Sequence, residues 1–177
     1  MTLSIDAFRQ LKPKALKNQF EAGFSIVPTA LNNCMYRGVS LGLPHWIEAF
    51  AWTTFVKTFH RDPETQGLRG WNVRLHQTGI AGDIEPQRTK DGSRRTFGHF
   101  AVTDNPSGSN GLLIDYGLGG NGAFDPTRYL KDPIVALEAN SVERLLGWTY
   151  LDLGRVVSTP SYFLLERIGP LDHVAYP

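Results

Sequence analysis

Gly70-Trp71-Asn72-Val73-Arg74-Leu75-His76 decides the fold class. Trp71, Val73 and Leu75 fall on one face of an extended chain and Asn72, Arg74 and His76 on the other, the period-two pattern of a half-buried strand. Downstream, Asp91-Gly92 marks a tight hairpin turn. Arg95 to Thr103 resumes the alternation, with Phe97, His99 and Ala101 opposite Gly98, Phe100 and Val102. After the polar run Asp104 to Gly111, Leu112 to Tyr116 reads as a short strand. Ile134 to Ala139, Leu145 to Leu151 and Val157 to Ile168 read as three more, separated by turns at Asn140-Ser141 and Leu153-Gly154-Arg155.

Parallel strands need a crossover of a dozen residues or more, and the connections after Gly70 leave no room for crossover helices, so an antiparallel meander is expected. Seven to nine strands are anticipated. Several carry apolar residues on both faces, as in Ile134-Val135-Ala136-Leu137 and Phe163-Leu164-Leu165, which implies burial on both sides. A closed barrel with covering helices gives this. A sandwich with one covered face gives it too.

Upstream the period is helical. Ser4 can cap a helix carrying Ile5, Phe8 and Leu11, and Pro13 can open a second with Leu16 and Phe20, so residues 4–22 are expected to be helical with a break near Pro13. Pro44 is placed to start another helix with Ile47, Phe50 and Ala51 on one face, whereas Thr53 to Phe59 is β-branched and aromatic enough for a strand. The expected organisation is one domain over 1–177, with a helical segment at 1–23, a barrel at 33–168 and a tail at 169–177.

At 177 residues a domain buries roughly two-thirds of its unfolded surface and needs no staples. The charged fraction of 20% and net charge of +1 give no polyelectrolyte signature, so no nucleic-acid partner is expected. Cys34 is the only cysteine, which excludes an intramolecular disulfide and suits a reducing cytosol. Met1 to Phe20 contains no uninterrupted apolar segment for export, and no run approaches the ~20 apolar residues that span a bilayer. A cytoplasmic protein without a membrane partner is the expectation.

Two catalytic motifs occur in contexts that weaken them. Gly117-Leu118-Gly119-Gly120-Asn121-Gly122 satisfies G-x-G-x-x-G after a strand, but Asp125-Pro126 follows where a dinucleotide site needs a helix. A mobile loop at the barrel mouth, or a contact surface for a partner protein over Gly117 to Asp125, explains it as well. Gly38-Val39-Ser40-Leu41-Gly42 satisfies G-x-S-x-G, with Asp172 and His173 downstream as acid and base for a serine hydrolase using Ser40. Only some thirty helical-looking residues precede it, where a hydrolase places several parallel strands. The five histidines show no metal-chelating spacing, so no metal site is expected. Arg88, Lys90, Arg94 and Arg95 read as a solvated hairpin tip.

Tyr36-Arg37-Gly38-Val39-Ser40-Leu41-Gly42-Leu43-Pro44 resembles the first-strand signature of the calycin-like barrels, the group containing lipocalins, fatty-acid-binding proteins and nitrobindin-type proteins. That signature usually has Trp at the Tyr36 position and Gly at the Ser40 position. Arg128 to Arg167, with Leu145-Leu146-Gly147 and Tyr162-Phe163-Leu164-Leu165-Glu166, is similar to the paired closing strands of lipocalin-like domains. The resemblance implies a cavity for a hydrophobic small molecule, and in its nitrobindin branch a haem held by a histidine near the position of His173. No other cofactor is implied.

The leading expectation is a mainly β, lipocalin-like barrel taking a small hydrophobic or aromatic metabolite into its interior, lined by Trp71, Phe97, His99, Tyr116, Trp148, Tyr150 and Tyr162. The alternative is a cofactor-independent isomerase or cyclase in the same barrel, with His99, Asp115, Tyr116 and Tyr150 as acid–base or hydrogen-bonding groups meeting in one cavity. Oligomeric state is not legible.

Overall fold

The computed structural model describes residues 3–41, 53–80, 82–106 and 110–177. The possible helix at Pro44, with Ile47, Phe50 and Ala51, lies outside the described residues. Two helices lead the chain, α1 (Ile5–Arg9) and α2 (Pro13–Glu21). The Ser4 hydroxyl caps the first by accepting from the Ala7 amide at 3.2 Å, and Pro13 opens the second.

Eight strands follow: β1 (Cys34–Leu41), β2 (Thr54–Arg61), β3 (Leu68–Arg74), β4 (Thr96–Asp104), β5 (Leu112–Asp115), β6 (Leu130–Glu138), β7 (Ser141–Asp152) and β8 (Val156–Pro170). Each pairs antiparallel with the next, and β8 returns to β1 to close the barrel. Closure decides between barrel and sandwich, and the architecture is compatible with the calycin-like resemblance. Thr54–Arg61 is strand, as its β-branched and aromatic residues allow.

One apolar cluster fills the inside. It includes Tyr36, Phe59, Phe100, Ile114, Tyr116, Ile134, Leu145, Phe163 and Leu165. At the end where β1 begins, Ile26 and Leu31, beside the 3₁₀ turn Pro28–Leu31, join that cluster and close the barrel. The outer wall is covered in two places. Phe8 of α1 and Leu16 of α2 pack on Val39, Leu41, Val135, Leu146 and Leu164. On the opposite side Leu171 and Ala175 of the tail pack against Val56, Trp71, Val73 and Leu75. Strands that are apolar on both faces therefore meet side chains inside and helices or tail outside.

The glycine run after β5 is not a phosphate loop. A 3₁₀ turn over Tyr116–Leu118 folds back on β4. There the Asn121 side chain donates to the His99 carbonyl at 2.6 Å and accepts from the His99 amide at 2.9 Å. This amide takes the place of a strand partner, so the loop is pinned rather than free at the mouth. Gly119 is required by that approach, because a Cβ there would lie 1.8 Å from the His99 carbonyl oxygen. Gly119→Ala should therefore cost about 1–3 kcal/mol by overpacking. Gly122→Ala, where a Cβ meets nothing within 4 Å, should stay within about 0.5 kcal/mol. Urea unfolding of the two variants checks the contrast.

Candidate functional site

On β2 the inward positions read Phe55, Lys57, Phe59, so alternation carries a lysine into an aromatic interior. Lys57 is 1% exposed. Its Nζ donates to the Tyr116 hydroxyl at 2.7 Å and to Asp132 Oδ2 at 3.5 Å. Tyr116 in turn donates to Asp132 Oδ2 at 2.8 Å, and Thr149 to Asp132 Oδ1 at 2.8 Å. Four rings surround the ammonium, with centroids at 4.8 Å for Phe100, 5.1 Å for Tyr116, 5.2 Å for Phe163 and 5.8 Å for Phe55. Attraction of a cation to ring faces strengthens where water is excluded.

Burial pulls Lys57 down to about 8, against the opposing pull of the Asp132 carboxylate. Burial, and then the Asp132 charge, pushes the Tyr116 phenol well above its ordinary range. The cluster can present an ammonium at neutral pH, supply a neutral amine in mild base, and hold a phenol in its protonated form.

Of the four residues expected to meet in one cavity, only Tyr116 enters the interior. Asp115 faces outward, opposite Lys131, and forms an ion pair with it. Tyr150 lies on the outer wall with its ring 5.3 Å from Trp148. His99 stands beside Trp71, ring centroids 6.1 Å apart, on the outer face of β4.

The lining expected of the interior is corrected in the same way. Trp71 packs under the tail, while Trp148 and Tyr162 pack toward the helices. Phe97 is the exception: it pairs with Asn72, the partner of inward Lys57, so it lies on the inner face, half-buried, with the Arg74 guanidinium 5.4 Å from its ring. The physical reason is common to the displaced residues: both faces of these strands are covered, so burial does not mark the inside. Lys57 and Asp132 were missed. The signal was present, since Lys57 alternates with Phe55 and Phe59, and Asp132 with Leu130 and Ile134.

Ser40 lies within β1, paired with Phe163, and is not itself at a turn. His173 accepts from Trp71 Nε1 at 3.2 Å through Nε2 and holds Asp172 at 2.8 Å through Nδ1. Asp172 is also gripped by Arg94 at 2.6 Å. With both ring nitrogens engaged on the outer wall, His173 does not fit an axial haem ligand or the base of a serine triad. Among the described residues, no cluster of three or more His, Cys, Asp or Glu side chains could hold a metal. No helix there is long and apolar enough to cross a membrane.

Compared with known proteins, the chain matches no family model, and no curated protein or solved structure is significantly similar to it. What the geometry defines is a closed eight-stranded antiparallel barrel with a lysine, a tyrosine and an aspartate joined at its centre.

Removing one partner of a buried ion pair strands the other charge. Asp132→Leu should therefore cost about 3–5 kcal/mol in urea unfolding, whereas Asp132→Leu combined with Lys57→Met should recover most of that loss. The pair also has a pH signature. Lys57 titrates near 10.5 when unfolded and near 8 when folded, so between those values the folded chain binds fewer protons and stability rises with pH. The stability of the wild type relative to Lys57→Met should climb from about pH 8 to about pH 10. The difference removes the contribution of the phenols, whose raised values weaken the fold above about pH 10. A flat difference would contradict the assignment.

Proposed function

We propose that the barrel binds a small apolar or aromatic molecule carrying one hydrogen-bond acceptor, with its polar end on Lys57. The supporting observation is the unfilled capacity of that ammonium. It has three donor hydrogens and, among the described residues, two acceptors, Tyr116 and Asp132. On the side where β1 ends, the inward positions are small or polar: Gly38, Ser40, Gly147, Thr149 and Ser161. Rings from Phe55 and Phe163 lie across Gly38 and Gly147, where a Cβ would come within 2.3 Å and 2.1 Å of them. In this reading the two rings are the apolar surface a ligand would meet, and they would have to turn aside to admit it to Lys57. The likeness to calycin-type barrels supports the same reading by analogy of fold alone.

A second reading, an isomerase or cyclase, is favoured by one observation. The Tyr116 hydroxyl is held between an amine and a carboxylate, a built path for a proton. Catalysis would then centre on Tyr116, Lys57 and Asp132 rather than on His99, Asp115 and Tyr150. In that case Tyr116→Phe would abolish turnover of a bound substrate and leave its binding intact.

Acetophenone and ethylbenzene test the binding reading as a matched pair, one with an acceptor and one without. At about a hundredfold its Kd, a ligand adds about 2.7 kcal/mol, a rise of about 5–10 °C in Tm for a domain of this size. Acetophenone should stabilise the wild type more than ethylbenzene, and Lys57→Met should erase the difference. The proposal fails if neither compound raises Tm nor appears bound in native mass spectrometry.

A further inference from the structure

A pocket of about 280 Å³ opens where the glycine loop and the tail meet β3 and β4, lined in part by Gly70 and Phe100. The pinned loop supplies Leu118, Gly119 and Gly120, the tail supplies Tyr176 and Pro177, and β2–β3 supply Asp62 and Arg69, with His99 of β4 beside them. Arg69 pairs across the ladder with Ala101, so His99, two residues earlier on the same face of β4, is its diagonal neighbour.

Arg69 is held but not satisfied. Its guanidinium lies 4.7 Å from the Tyr176 ring and 5.4 Å from Trp71. Nε donates to Asp62 at 3.3 Å and Nη1 to the Ala175 carbonyl at 2.9 Å, while Nη2 is buried with no partner. His99 is 7% exposed, and its Nδ1 is likewise buried with no partner. Burial, then the nearby Arg69 charge, lowers its proton affinity, so the ring is neutral and has one N–H to donate.

Each buried polar atom left unpaired costs about 1–3 kcal/mol, and here two lie on neighbouring residues of one pocket. Both atoms are closed to solvent in this structure; with a small turn of the two side chains toward the pocket, two oxygens on a single carbon would satisfy both, one accepting from Arg69 Nη2 and the other from His99 Nδ1, with Leu118 and the Tyr176 ring against the remainder of the molecule. We propose that this pocket binds a monocarboxylate with a compact apolar body, of the size of a substituted benzoate.

Benzoate, benzyl alcohol and inorganic phosphate distinguish the chemistry when titrated into ¹⁵N-labelled protein. Benzoate should saturably shift the amides of His99, Gly119, Gly120 and Tyr176, with benzyl alcohol and phosphate each at least tenfold weaker. Arg69→Gln should weaken benzoate tenfold or more, but it also frees Asp62 and the tail. His99→Phe leaves those contacts in place, fills the ring volume and removes the donor, and it too should weaken benzoate about tenfold. The proposal is overturned if benzoate moves none of these amides, or if His99→Phe binds it with wild-type affinity. Benzyl alcohol or phosphate binding as well as benzoate would also overturn it.

Discussion

The pairing of β8 with β1, running from Cys34 opposite Pro170 to Leu41 opposite Tyr162, is the constraint on which the rest of the molecule depends. It removes both sheet edges at once and commits every strand to an inside and an outside. Once the inside exists it has to be filled, and Tyr36, Phe59, Phe100, Ile134 and Leu165 fill it at the end closed by Ile26 and Leu31. Once the outside exists, its apolar positions need cover. Helices α1 and α2 supply it on one flank and the tail on the other.

Closure also explains how a charged lysine comes to rest among four rings. In an open sheet Lys57 could turn to water. In the barrel its neighbours are Tyr36 on β1 and Asn72 on β3, and its ammonium has nowhere to go but the centre. Desolvating an ammonium is expensive, and the Asp132 carboxylate, itself supported by Thr149 and Tyr116, offsets that cost. An apolar pair would serve stability as well or better, so stability alone does not account for the cluster.

The outer wall shows a comparable arrangement of competing demands. Arg94 and Asp172 anchor the tail over Trp71, and Arg69 meets the tail again at Ala175. The glycine run approaches the same wall from the other side through Asn121. Where the two segments meet they leave Arg69 and His99 buried but incompletely bonded. A motif that resembled a dinucleotide loop thus shapes a different kind of pocket.

Local features were legible because their physics is local. The Ser4 cap, the break at Pro13, the turns at Asp91-Gly92, Asn140-Ser141 and Gly154, and the alternation through Trp71 and Val73 depend on residues a few positions apart. They determined the helices, most strands and the antiparallel order. Which face of each strand points inward was not legible, because Trp71, Trp148 and Tyr162 are as apolar as Tyr36, Phe100 and Phe163, and alternation alone does not label its two faces. Only closure of the ladder, with the helices and the tail laid on the outside, placed Tyr116 with Lys57 and Asp132 and turned His99 outward. Those residues lie up to 75 positions apart, and no local pattern in the chain encodes a meeting at that separation.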